Sequence, residues 1–78
     1  PPRIRLSSAR TRWGSCNENR TVFLNWRLVQ RPLKLVDYVV AHELAHLKEM
    51  NHSERFWALV AQLVPDYREA KAELGELV

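Results

Sequence analysis

The spacing of the three histidines is the feature that most constrains how this chain folds. All of them lie within residues 42–52, and the first five residues of that segment read H-E-L-A-H. Residues four apart lie one turn apart on the same face of an α-helix, about 6 Å along its axis. His42 and His46 can therefore direct both imidazoles at one metal ion if this segment is helical. The motif accordingly predicts a helix that carries a metal site.

His52 is predicted to be the third ligand, and this assignment requires the helix to end before it. On an uninterrupted helix His52 would lie about 15 Å from His42 along the axis and point to another face. Asn51 can close a helix in a left-handed conformation, and Ser53 is a good N-cap for a following helix. We therefore expect the metal-binding helix to end between Leu47 and His52.

Glu43 directly follows the first of these histidines and is the predicted catalytic residue. On a helix it lies beside the metal rather than on it, where a carboxylate can hold a water and accept its proton as general base. Three histidines and no obvious fourth ligand leave one position for water, as in catalytic zinc sites. We predict one Zn²⁺ bound by His42, His46 and His52. The competing interpretation is that His42 and His46 are ordinary helix histidines and that Glu43 is a solvated acid.

Other side chains compete for parts of this site. Glu49 lies three residues after the second histidine and near the ligand face, so it is an alternative third ligand. Further possible ligands are Glu69, Glu73 and Cys16, although a lone cysteine is more often a small buried hydrophobe. The residue that would stabilise an oxyanion is not identifiable, and its candidates are Tyr38, Tyr67 and Arg12.

Apolar periodicity predicts strands in the first half of the chain and helices in the second. Residues 3–6 and 21–25 alternate as half-buried strands do, and residues 14–19 between them have turn composition. This half is predicted to form two or three short antiparallel strands. The three tryptophans of the chain, Trp13, Trp26 and Trp57, are expected to pack in the core or hairpin. Strands followed by helices indicate an α+β domain. We predict a small antiparallel sheet or hairpin packed on a metal-binding helix, which two further helices follow.

The predicted helices have distinct apolar faces. Residues 34–50 have a helical period whose core face is Val36, Val40, Leu44 and Leu47. After the Ser53 cap, a second helix is expected to bury Phe56, Leu59, Val60, Leu63 and Val64. A third helix from Asp66 to about Leu74 is expected to bury Tyr67, Ala70 and Leu74.

Charge and length limit the partners and the organisation. Residues 1–34 carry eight basic groups and one acid, whereas residues 35–78 carry four basic groups and eight acids. The basic half can attract phosphate or an acidic partner, so a nucleic-acid partner remains possible. The simpler interpretation is that these basic residues form the solvated face of a small sheet. No apolar run approaches the ~20 residues of a membrane span, so no membrane partner is expected.

Length and cysteine content predict the organisation and the compartment. The 78 residues fit a single domain, residues 1–78, and the start at Pro1 indicates the C-terminal part of a longer protein. One cysteine and no signal peptide predict a cytoplasmic location.

Three segments together resemble the YgjP-like metallopeptidase domain family, which is related to the SprT and WLM zinc peptidases. They are residues 12–16 (R-W-G-S-C), residues 37–47 (D-Y-V-V-A-H-E-L-A-H-L), and residues 51–53 (N-H-S) with the F-W pair at 56–57. The resemblance implies a zincin-type core with a small sheet on the metal helix. It also implies metal binding by His42, His46 and His52, with Glu43 as the catalytic acid/base.

We therefore expect a zinc-dependent hydrolase that acts on a peptide or protein substrate. An extended peptide is expected to pair with an exposed strand edge near residues 21–25. Two alternatives remain: a nucleic-acid-associated module with a protease that acts near DNA, and a non-catalytic interaction domain stabilised by zinc.

Overall fold

The computed structural model describes residues 2–75 and confirms the predicted α+β class. Three short strands precede three α-helices, with one turn of 3-10 helix between the two halves. The strands are β1 (Arg3–Ser7), β2 (Gly14–Cys16) and β3 (Thr21–Asn25), and the 3-10 helix is Trp26–Gln30. The helices are α1 (Leu33–Ala45), α2 (Glu54–Leu63) and α3 (Tyr67–Leu74).

The sheet is mixed rather than antiparallel, which corrects the prediction for the first half. Its order is β1-β3-β2, with β1 parallel to β3 and β2 antiparallel to it. The loop between β1 and β2 crosses the end of β3, where the buried amide of Asn25 donates hydrogen bonds to the carbonyls of Ala9 and Arg12 (2.6 and 2.9 Å). Side-chain alternation shows only which face is buried, so it carries no information on strand direction.

This crossing also changes which strand has a free edge. Residues 21–25 were expected to offer an exposed edge, but β3 is the central strand. Within the described residues the free edges belong to β1 and β2. The edge beside α1 is that of β2, because Gly14 lies against Val39 and Glu43 of the helix.

The buried face of α1 differs from the predicted one. Val36, Val40, Leu44 and Leu47 are only half-buried. The interior side instead carries Leu35, Tyr38, Val39, Ala41, His42, Glu43 and Ala45. The sheet covers this helix on one side and α2 and α3 on the other, so its polar residues lie inside and part of its apolar arc remains at the surface.

The second and third helices follow their patterns more closely. In α2, Phe56 and Val60 are fully buried, but Leu63 was wrongly assigned to the core and is 56% exposed. The predicted inward residues of α3 (Tyr67, Ala70 and Leu74) are all buried. Trp13 and Trp57 pack against the core as expected, whereas Trp26 is 42% exposed.

The segment between α1 and α2 determines where the third histidine lies. The helix ends at Ala45, slightly before the predicted interval, where the amides of Leu47 and Lys48 donate hydrogen bonds to carbonyls three residues back, those of Leu44 and Ala45 (3.0 and 3.1 Å). Asn51 does not adopt the expected left-handed conformation. The Ser53 cap is confirmed, since its hydroxyl accepts a hydrogen bond from the Phe56 amide (3.3 Å). No described helix is long and apolar enough to cross a membrane.

Candidate metal centre

Two of the histidines lie one turn apart at the C-terminal end of α1. His42 is 2% exposed and His46 is 9% exposed, and their ring centroids are 5.0 Å apart. Both rings rest against Phe56 of α2, at centroid distances of 4.9 and 4.4 Å. The α1–α2 contact therefore fixes the directions of both imidazoles.

The turn after α1 brings the third histidine back to the other two. Nε2 of His52 lies 3.4 Å from Nε2 of His42. One ligand atom from each of His42, His46 and His52 lies within 4.8 Å of the others. Two nitrogens of a tetrahedral zinc site with bonds of 2.0–2.1 Å are about 3.3 Å apart. The group has the spacing needed to hold a divalent metal ion.

Neighbouring groups orient the rings. Nδ1 of His46 lies 3.1 Å from the Glu49 carbonyl, which can only accept a hydrogen bond. The hydrogen is therefore on Nδ1, and Nε2 keeps a lone pair for a metal. The buried Tyr38 hydroxyl lies 3.4 Å from Nδ1 of His42. Tyr38, a candidate for stabilising an oxyanion, contacts His42 instead.

The exposed histidine is held by an aromatic stack. Trp57 lies nearly parallel to His52, with ring centroids 6.0 Å apart and an interplanar angle of 26°. Trp57 also stacks on Tyr67, at 5.3 Å and 17°. From the sequence, Trp57 was predicted only to pack in the core or hairpin. Its position on α2, one turn after the Ser53 cap, is the signal that could have linked it to His52.

Glu43 is enclosed beneath the sheet. Its side chain is 1% exposed, and neither carboxylate oxygen has a hydrogen-bond partner among the described residues. Burial raises the pKa of Glu43 to about 7, and the positive charge of Arg12 opposes this rise. A buried carboxyl group without a partner is costly. A water molecule beside a bound cation would supply the missing partner, so this residue fits a metal centre.

The buried histidines are held in the neutral form that metal binding requires. Burial lowers the pKa of His42 to about 3, and the positive charges of His46, His52 and Lys71 lower it further. Burial also lowers the pKa of His46, against the opposing effect of its hydrogen bonding to the Glu49 backbone. These two histidines need not lose a proton at neutral pH before they bind a metal.

The competing ligands have other contacts in the structure. The Glu49 carboxylate accepts a hydrogen bond from the Ser53 hydroxyl (3.3 Å). Glu69 pairs with Lys34 at 2.6 Å, and Glu73 pairs with Arg31 at 3.9 Å, which directs both toward the start of α1. Cys16 is half-buried, with its thiol 3.6 Å from the Asn17 carbonyl. None of the four belongs to the histidine group.

A helix that presents two histidines one turn apart and then turns back to bring in a third is the arrangement of a metallopeptidase domain. The chain belongs to the YgjP-like metallopeptidase domain family, whose model matches residues 1–77. No curated protein matches the sequence significantly. The structure is similar to that of the metallopeptidase zymogen abylysin from Pyrococcus abyssi, with a TM-score of 0.83 and 24% identity over 95% of this chain and 75% of that one. The two proteins share a fold.

Proposed function

We propose that this domain is a zinc-dependent peptidase in which His42, His46 and His52 bind the metal and Glu43 is the general base. The observation that carries the proposal is the unpartnered Glu43 carboxylate next to three converging histidine nitrogens. A structural zinc site would fill its coordination with protein ligands and would not need a buried carboxyl group beside it.

The chemistry divides between the metal and the protein. A zinc ion held by the three histidines would supply Lewis acidity toward a water molecule and the scissile carbonyl. Glu43 accepts the proton of the attacking water at a carboxylate oxygen and then donates it to the leaving amine. Burial favours the proton on this carboxyl group, with a pKa of about 7 before any cation binds, so it can both hold and release a proton near neutrality.

The free edge of β2 is the proposed binding surface for the peptide backbone. The backbone N–H of Asn25 donates a hydrogen bond to the Trp13 carbonyl, and the backbone N–H of Asn17 donates one to the Thr21 carbonyl. Because hydrogen-bonded pairs alternate along an antiparallel ladder, the backbone groups of Gly14 and Cys16 point away from β3. An extended peptide can add there as a further strand, beside Glu43.

The test compares wild type with Glu43→Gln, each loaded with zinc. We expect hydrolysis of a fluorogenic peptide mixture to fall at least about 100-fold in the variant, with zinc content unchanged. Glu73→Gln is the matched control, because it makes the same change on an exposed side chain remote from the histidines. Equal rates for Glu43→Gln and wild type, both with zinc bound, would favour the non-catalytic zinc-stabilised interaction domain.

A second candidate function concerns the basic half. Arg10, Arg12 and Arg27 line one small pocket with Trp13, and within residues 2–75 none of these arginines is in a salt bridge. Uncompensated guanidinium groups of this kind suit a phosphate backbone. A salt titration of the affinity for duplex and single-stranded DNA tests it, and the absence of binding at low salt would eliminate it.

A further inference from the structure

A groove extends from the exposed histidine across α2 to α3. It has a volume of about 620 Å³, and its wall includes His52, Trp57, Tyr67, Arg68 and Lys71. His52, which belongs to the proposed metal centre, forms part of the groove wall. A peptide bound at the metal can therefore extend into the groove.

The charged side chains of α3 are divided between two sides. Its acids, Glu69 and Glu73, pair with Lys34 and Arg31 at the start of α1. Its two groove-lining cations, Arg68 and Lys71, have no salt bridge among the described residues. The groove wall therefore has positive charges that no acid within residues 2–75 compensates by contact.

Aromatic rings support both cations. The Lys71 ammonium lies 4.4 Å from the centroid of Trp57, and the Arg68 guanidinium carbon lies 5.5 Å from that of Tyr67. These contacts are close enough for cation–π attraction, which holds the charged groups over the ring faces. The one acid that lines the groove, Glu54, is in no salt bridge with either of them.

The ammonium group is within reach of a substrate bound at the metal. Trp57 contacts both groups, since its ring lies 6.0 Å from that of His52 and 4.4 Å from the Lys71 ammonium. An extended peptide advances about 3.3 Å per residue. A carboxylate two or three residues from the cleaved bond can therefore reach Lys71.

We propose that this groove binds a carboxylate of the substrate, so that the enzyme prefers peptides with an acidic group two or three residues from the cleaved bond. The inference rests on the proposed peptidase function and adds the substrate class. Two sources share this chemistry, the side chain of Asp or Glu and the C-terminal carboxylate of a short peptide. Lys71 and Arg68 are the specificity residues.

The test uses peptide pairs that differ only in Glu against Gln at one position, all with amidated C-termini. We expect kcat/KM to favour the Glu peptide about two- to fivefold, the range of a solvent-exposed ion pair. Lys71→Gln and Arg68→Gln should each reduce this preference, and Glu54→Gln should increase it. Arg55→Gln is the matched control, because it removes one positive charge from α2 outside the groove and should leave the preference unchanged. A further pair with free and amidated C-termini identifies the source of the carboxylate.

A binding measurement separates failure of this inference from failure of the proposed function. Labelled Glu and Gln peptides are titrated into Glu43→Gln protein, and affinity is read by fluorescence anisotropy. Tighter binding of the Glu peptide that is lost in Glu43→Gln/Lys71→Gln supports the groove even if no peptide is cleaved. Equal affinities and equal kcat/KM for the two peptides, or a preference that persists without Lys71 and Arg68, overturn it while leaving the peptidase function intact.

Discussion

Gly14 of β2 lies directly against the carboxylate of Glu43. A Cβ atom at this position would be 3.0 Å from Oε2 of Glu43 and 2.9 Å from Cγ1 of Val39. Real Cβ atoms essentially never come as close as the contact with Val39, and the contact with Glu43 would be tighter than most, so glycine lets the sheet rest on α1 at this point. The distance between strand and helix, and with it the space around Glu43, depends on this contact.

The first prediction concerns Gly14→Ala. We expect the added methyl group to push β2 from α1, to lower the free energy of unfolding by about 1–3 kcal/mol and to reduce peptidase activity more than stability explains. Urea unfolding and peptide hydrolysis at a temperature where both proteins are folded measure the two effects. Ser15→Ala, the next residue of β2, is the control. Unchanged stability and activity in Gly14→Ala would contradict the packing described here.

The second prediction concerns metal binding. A change to a residue that supports a metal ligand typically weakens metal binding 10- to 100-fold. Removal of one of the three ligands should weaken it more, so we expect His52→Ala to weaken zinc binding at least about 100-fold. His42→Ala and His46→Ala should behave similarly, and Cys16→Ala should retain one zinc per chain. Competition with a chromophoric chelator gives the affinities. Full zinc occupancy in His52→Ala would refute its assignment as third ligand.

The third prediction concerns the pH dependence of the metal-free protein. The pKa of Glu43 is raised to about 7 from an ordinary value of 4.5, so the folded state binds a proton that the unfolded state has lost between these values. Wild type should therefore lose stability relative to Glu43→Gln as pH rises from 4.5 through 7, by about 3 kcal/mol in total. The difference should then stay constant at higher pH.

Urea unfolding of the two metal-free proteins across this pH interval checks the prediction. The glutamine of the variant is also buried and polar. The informative quantity is therefore how the stability difference between the two proteins changes with pH, not its size at one pH. A difference in stability that does not vary with pH would mean that the carboxyl group is not desolvated in the folded protein.

The fourth prediction concerns metal removal. Zinc at about 1,000 times its dissociation constant stabilises a fold by about 4 kcal/mol, and 1 kcal/mol shifts the melting temperature of a domain this small by about 4–8 °C. Chelation should therefore lower the melting temperature by about 15 °C or more. His52→Ala should melt at nearly the same temperature with and without chelator. A chelator effect of equal size in that variant would show that zinc stabilises the chain elsewhere.

Features determined by neighbouring residues could be predicted from the sequence. The pair His42 and His46 depends only on helical spacing, and the Ser53 cap depends only on the next three residues, so both segments have the expected local structure. The return of His52 toward the other two histidines could also be predicted, because it requires only that α1 end before this residue. The helix nevertheless ends at Ala45 through the turn hydrogen bonds of Leu47 and Lys48, without a left-handed Asn51.

Features determined by distant contacts could not be predicted in this way. The position of β3 in the centre of the sheet depends on where the loop after β1 crosses, and no local period encodes that path. The buried face of α1 was misassigned because apolar residues such as Val40 and Leu44 form a continuous arc, while the true interior includes His42 and Glu43. A metal site requires polar residues inside, which reverses the usual inference from hydrophobic periodicity.

The side-chain amide of Asn25 helps to position β2, although it lies away from the proposed metal centre. It fastens the crossing loop through the Ala9 and Arg12 carbonyls, and the same loop continues directly into β2. The buried side chain of Asn25 thus anchors the N-terminal end of β2, the strand beside Glu43. In the proposed peptidase, the position of this strand, and with it the space for a bound peptide, depends on a residue that contacts neither the peptide nor the metal.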